Sequence, residues 1–165
     1  MIVALDVDYR PNLAVTACVG FADWSEGVAL FEQVSRRPVE AAAYEPGAFY
    51  RRELPCLLDA IGGLASRPSV VVVDGYVWLG PERPGLGARL HAALNGDVAV
   101  VGIAKGPFRG ATTAIEVLRG RSRQPLYVTA EGVDCGVAAD AVRAMHGPHR
   151  MPTLLKRVDR LARDG

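Results

Sequence analysis

Three acidic residues carry the chemistry that can be read from this chain. Asp6 closes the apolar run Ile2-Val3-Ala4-Leu5, and Asp74 closes Val70-Val71-Val72-Val73. Glu53 lies between them in sequence, just after Tyr50-Arg51-Arg52. A carboxylate at the end of a buried apolar strand is costly unless it is solvated at the strand's mouth, paired, or bound to a metal. Two such strand ends side by side would offer oxygen ligands to a hard divalent cation, Mg²⁺ or Mn²⁺, which binds carboxylates and water. Asp6, Glu53 and Asp74 are therefore the candidate metal ligands. Asp8 shares a strand face with Asp6 and is a further candidate.

The elements that must position these acids can be read from apolar patterning. Ile2–Val7, Leu13–Phe21 and Gly27–Gln33 read as three strands joined by the turns at Pro11-Asn12 and Asp23–Gly27. Arg36–Gly47 reads as a loop and Phe49–Leu64 as a helix, with Leu54, Leu57, Leu58 and Ile61 at helical spacing and Pro55 in its first turn. Ser69–Asp74 has the composition of a central parallel strand. A Gly/Pro-rich loop over Gly75–Gly85, a helix over Leu86–Leu94 and a buried strand over Val98–Ala104 follow. Ala114–Leu118 and Leu126–Thr129 read as a hairpin, and Val137–Met145 and Pro152–Ala162 as helices. The result is an α/β chain with three antiparallel strands, then parallel strands, in a mixed sheet flanked by helices. That is the order of the ribonuclease H-like fold, in which the first strand lies beside the fourth and brings Asp6 next to Asp74. Actin-like ATPase halves share the order, but Pro11-Asn12-Leu13 is no glycine-rich phosphate loop.

Composition bounds the rest. At 165 residues, 50% hydrophobic and 22% charged, the chain suits one globular domain over residues 1–165. No apolar run is long enough to span a bilayer, so no membrane partner is expected. The N-terminus shows no basic region followed by an apolar stretch and cleavage site, so an unprocessed cytoplasmic chain is expected. Cys18, Cys56 and Cys135 are scattered and read as small buried hydrophobes. The net charge of +1 does not announce a nucleic-acid partner. Arg119, Arg121 and Arg123, together with Lys156, Arg157, Arg160 and Arg163, nonetheless form local basic groups that could meet phosphates.

Four blocks in order resemble the endonuclease V family, which nicks nucleic acid near deoxyinosine or inosine. They are Ala4-Leu5-Asp6-Val7-Asp8-Tyr9; Tyr44-Glu45-Pro46-Gly47 with Arg52-Glu53; Val72-Val73-Asp74-Gly75 with Pro84-Gly85-Leu86-Gly87; and Val101-Gly102-Ile103-Ala104-Lys105. The closing stretches Leu126-Tyr127-Val128-Thr129 and Met151-Pro152-Thr153…Asp159-Arg160-Leu161-Ala162 match more loosely. The resemblance implies a Mg²⁺- or Mn²⁺-dependent phosphodiesterase, acting on inosine-containing DNA or RNA in repair or processing; a monomer is expected. It implies catalytic roles for Asp6, Glu53, Asp74 and Lys105, the lysine holding the scissile phosphate or polarising the attacking water. It gives Tyr44 the role of a wedge filling the gap left by an extruded base, with Pro46, Gly47, Gly75 and Tyr76 around that base. Tyr76 and Trp78 are candidates for stacking on bases.

The chain also departs from the family pattern. The loop after Asp74-Gly75 reads Tyr76-Val77-Trp78-Leu79-Gly80 where the family carries histidines, and Ala130-Glu131-Gly132-Val133-Asp134 lacks the family's Gly-His pair. His91, His146 and His149 sit elsewhere and read as surface or packing residues. These losses make a non-cleaving nucleic-acid-binding relative the competing reading.

Overall fold

The computed structural model describes residues 1–39 and 50–165. The Tyr44, Pro46 and Gly47 expectations therefore lie outside the described residues. Strands β1 (Ile2–Arg10), β2 (Leu13–Phe21) and β3 (Phe31–Pro38) are followed by helix α1 (Tyr50–Gly62), β4 (Val70–Asp74), the short β5 (Trp78–Gly80) and β6 (Arg83–Pro84), and α2 (Leu86–Ala93). Then come β7 (Ala99–Ala104), β8 (Ile115–Val117), β9 (Leu126–Glu131), α3 (Cys135–Ala144) and α4 (Thr153–Asp164). Seven strands form one mixed sheet in the order β3-β2-β1-β4-β7-β9-β8. β1 pairs antiparallel with β2 and parallel with β4, and β4 pairs parallel with β7. This is the expected ribonuclease H-like arrangement, with β1 beside β4.

Strand alternation divides the core into two layers. Ile2, Ala4, Val72, Val101 and Ile103 face α3 and α4, packing with Val142, Leu154, Leu155 and Val158. Val3, Leu5, Val71, Val73 and Val100 face α1 and α2, packing with Leu57, Ile61 and Leu90. Central strands covered on both faces must be apolar throughout, which is why Val70–Val73 is an unbroken valine run.

Four expectations need correction. The third strand runs over Phe31–Pro38 rather than Gly27–Gln33. It is a sheet edge, so its pattern is polar, whereas the apolar Val28 and Leu30 that suggested a strand are 77% and 63% exposed in the preceding loop. β1 extends to Arg10 because its whole length is zipped to β2, Arg10 lying opposite Leu13. Pro55 falls inside α1, beyond its first turn, where it removes a hydrogen-bond donor. The loop after Asp74 contains the small β5–β6 hairpin.

Arg119 is the other departure, since it was grouped with Arg121 and Arg123 as a phosphate-facing cation. It is 6% exposed, and its guanidinium donates to the carbonyls of Met145, Gly147 (3.2 Å), His149 (3.0 Å) and Arg150 (3.3 Å), with a longer contact from Nε to Arg143 (3.5 Å). The turn between α3 and α4 has few backbone partners of its own, so one cation organises its carbonyls. Replacing Arg119 with Met should strip these acceptors of their donor and cost about 3 kcal/mol. Thermal denaturation should show a midpoint roughly 10 °C below wild type. An unchanged midpoint would mean that water replaces the guanidinium without loss.

Candidate functional site

The register of the parallel strands builds the site. Leu5 pairs with Val73, and Asp74 pairs with Ile103, so Asp6, at the point where β1 outruns β4, lies level with Asp74 at the end of β4 and with Lys105 just past the end of β7. Alternation places all three on the face of Ala4, Val72 and Ile103, the face covered by α4. There they line one recess with Asp159 of α4. Lys105 Nζ donates to Asp74 Oδ2 at 2.7 Å and lies 3.8 Å from Asp159 Oδ1, which also takes Arg163 Nη2 at 2.8 Å. Arg150 fixes the backbone of Lys105 by donating to its carbonyl and to that of Pro125.

Glu53 arrives from the opposite layer. Its helix packs on the α1/α2 side, and its carboxyl meets Asp6 and Asp74 around the strand ends, where the three acids line a cavity of about 340 Å³. The cavity gathers the three expected ligands, but not as a closed cage. Among the described residues no three His, Cys, Asp or Glu side chains form a ready-made metal-binding group. Two acids on one sheet face and a third reaching over from the other explain this. Asp8 lies apart, paired with Arg10 at 3.3 Å.

The Asp74-Gly75 turn is held by close backbone packing. Gly75 has φ +115, and its N–H donates to Ile103 O at 3.1 Å. Val77 N donates to Thr129 Oγ1 at 2.8 Å. A Cβ on Gly102 would come 2.5 Å from Gly75 O and 2.8 Å from Val77 N, so glycine there lets the turn lie against β7. Beyond the turn, Tyr76 donates its hydroxyl to Gly106 O at 2.7 Å, and its ring packs on Phe108 with centroids 6.0 Å apart. Trp78 donates its Nε1–H to Glu131 Oε2 at 2.6 Å. His91 lies against Val98 O and His146 against Thr153 Oγ1, both outside the acidic cavity.

Charge crowding raises the acids. Burial first, then the charges of Asp74 and Asp159, push Asp6 up to about 6, with Lys105 opposing. Burial first, then Asp6 and Asp74, push Glu53 up to about 8, with Arg52 opposing. Burial alone would lower the Lys105 ammonium, but the hydrogen bond and charge of Asp74, with Asp159 and Asp6, outweigh it and hold its pKa above the ordinary lysine value. The donor set is thus oxygen-only, negative and incompletely neutralised. That chemistry fits a hard divalent cation.

Asp159 was quoted in the sequence but given no role. The signal was present: Leu154, Leu155, Val158 and Ala162 form the buried stripe of α4, and an acid four residues after Leu155 lies on its border, facing the sheet.

A ribonuclease H-like sheet with acids at the carboxyl ends of its central parallel strands defines the class of protein: an α/β domain with an acidic cleft. The Endonuclease V family model matches residues 1–142, and the chain belongs to that family. The endonuclease V of Rhodospirillum centenum is 33% identical over 141 residues, 72% of this chain and 58% of that protein. The matched stretch therefore spans less than two-thirds of that relative. The solved structure of the Streptomyces avermitilis endonuclease V is 25% identical, with a TM-score of 0.75, and the match covers 99% of this chain and 79% of that one. The Ciona intestinalis endonuclease V, solved with a 24mer DNA containing an inosine followed by a ribo-adenosine, shares the fold at a TM-score of 0.72 and 16% identity, over 99% of this chain and 84% of that one.

The raised acids set a pH dependence. In the unfolded chain Glu53 loses its proton near 4.5 and Asp6 near 3.8, whereas folding holds these protons to about 8 and about 6. The folded state binds more protons across that window, so these groups make the metal-free protein less stable as pH rises from about 4 to about 8. Denaturant titrations in chelator should show this decline, with Glu53→Gln flattening its upper part. An equally steep decline in Glu53→Gln would assign the titration elsewhere.

Proposed function

We propose that this chain is a divalent-metal-dependent endonuclease that hydrolyses a phosphodiester near deoxyinosine or inosine in DNA or RNA. The observation that carries this reading is the convergence of Asp6, Glu53, Asp74 and Lys105 on the strand ends in a member of the endonuclease V family. Asp6, Glu53 and Asp74 would hold Mg²⁺ or Mn²⁺, with Asp159 as a fourth carboxylate. When bound, such an ion supplies phosphate charge neutralisation, an acidified water and leaving-group stabilisation. Few protein ligands are required, because Mg²⁺ keeps several waters.

The chain's own groups supply the remainder. Lys105, held to Asp74 and charged at neutral pH, is placed to neutralise a phosphate oxygen. Glu53, whose proton affinity burial and the neighbouring acids raise in the metal-free protein, would give up that proton to act as a ligand. The Tyr44 ring would fill the space vacated by the extruded base, and Pro46, Gly47, Gly75 and Tyr76 would contact that base. Extrusion costs least for a poorly paired base, which favours inosine over a Watson–Crick partner.

The competing reading, binding without cleavage, draws support from the absence of a preassembled three-ligand group among the described residues. One assay separates the two. Oligonucleotides matched except for inosine or adenosine, as DNA and as RNA, are incubated with Mg²⁺ or Mn²⁺. The nuclease reading expects inosine-dependent scission, abolished by chelator and reduced by a factor of about 100 or more in Asp6→Asn. Salt-sensitive binding without scission under every metal would decide for the binding relative.

A further inference from the structure

A second cavity, of about 350 Å³, opens beside the acidic one and shares Glu53 and Asp74 with it. A nucleotide whose phosphate lies at the acids can therefore place its base there. One side is backbone: Gly75 has φ +115, and a Cβ built on it would meet nothing within 4 Å, so a flat ring can approach the chain closely. Two arginines also line the cavity. Arg83 is engaged elsewhere, its guanidinium lying 5.6 Å from the centroid of Phe108. Arg89, on α2, lies over the Tyr50 ring, with Cζ 3.6 Å from the ring centroid. Its Nε is buried with no hydrogen-bond partner.

Among the described residues the Arg89 side chain makes no hydrogen bond or ion pair, so its guanidinium lines the cavity without an acceptor from the protein. Stacking on Tyr50 fixes the plane of the fork, so the acceptor it suits is also planar and bidentate. We propose that Arg89, positioned by Tyr50, reads the O6/N7 edge of a 6-oxopurine in this cavity. This deepens the nuclease reading above and rests on it. Hypoxanthine offers acceptors at both O6 and N7, whereas adenine turns an amino donor toward the fork. Guanine presents the same edge, so Arg89 separates 6-oxo from 6-amino purines, and the cost of breaking a guanine pair does the remaining sorting.

The test uses single strands that differ in one base, hypoxanthine, 7-deazahypoxanthine or adenine, cut in Mg²⁺ or Mn²⁺ by wild type, Arg89→Met and Arg89→Lys. For wild type, losing the N7 acceptor should lower kcat/KM about tenfold. In Arg89→Met that penalty should vanish, and the preference for hypoxanthine over adenine should shrink by a similar factor. Arg89→Lys keeps the charge but not the fork, and should lose discrimination while retaining single-strand affinity; it also carries the test should the Met variant fail to fold. A uniform loss over all three bases would make Arg89 a phosphate contact and overturn the proposal, as would an undiminished 7-deaza penalty in both variants. Either result leaves the nuclease reading standing. A wild type that cuts none of the three strands removes that reading and the proposal together.

Discussion

The parallel pairing of β1 with β4 and of β4 with β7 is the constraint on which the rest depends. Its register sets the middle of β1 level with the ends of β4 and β7, and the two-residue period of the strand sends Asp6, Asp74 and Lys105 to one face. A slip of one residue between β1 and β4 would turn every apolar side chain of one strand to the wrong layer. Val3 and Leu5 on one side and Ile2 and Ala4 on the other make such a slip prohibitively costly. The core therefore specifies the site: the valines that hold the strands in register also set the separation of the carboxylates.

The C-terminal segment completes the arrangement from the other side. α4 packs across β1 and β2 through Leu154, Leu155 and Val158, and in doing so brings Asp159 toward Lys105. Its approach is set by the turn that Arg119 gathers and by Arg150, which ties that turn to the end of β7. Both arginines act through backbone carbonyls, so they fix the chain path whatever side chains surround them. The basic residues of this region divide by burial, with Arg119 structural and Arg121 exposed.

Much of this was legible in the sequence where one physical cause dominated. β4 and β7 were plain because strands buried on both faces must be apolar throughout, and an acid or lysine at the end of such a run is conspicuous. Edges were harder. β3 is polar because one face and one side meet water, while the apolar Val28-Ala29-Leu30 segment before it lies in a loop, so hydrophobicity pointed to the wrong residues. Arg119 was misjudged because composition cannot distinguish a guanidinium facing solvent from one facing a ring of carbonyls. Asp159 went without a role because its partners lie far away in sequence and only the packing of α4 brings them together. Arg89 was hidden for a similar reason: nothing local announces that Tyr50, on another helix, will lie beneath it.

The electrostatics of the cavity show why these positions are a burden that ligand binding relieves. Asp6 feels the charges of Asp74 and Asp159, and Glu53 those of Asp6 and Asp74, with Lys105 between Asp74 and Asp159 and with Arg52 and Arg163 at the margins. Without a further positive charge, the fold relieves the crowding by holding a proton on Glu53 and raising the affinity of Asp6 for one. A divalent cation entering such a site would have to expel those protons, so its affinity would rise with pH over the range in which metal-free stability falls. The two dependences have one origin, the repulsion among carboxylates brought together by a register that the apolar core enforces. A site assembled in this way is poorly satisfied alone: a divalent cation held by Asp6, Glu53 and Asp74 would supply the positive charge that Lys105 by itself does not.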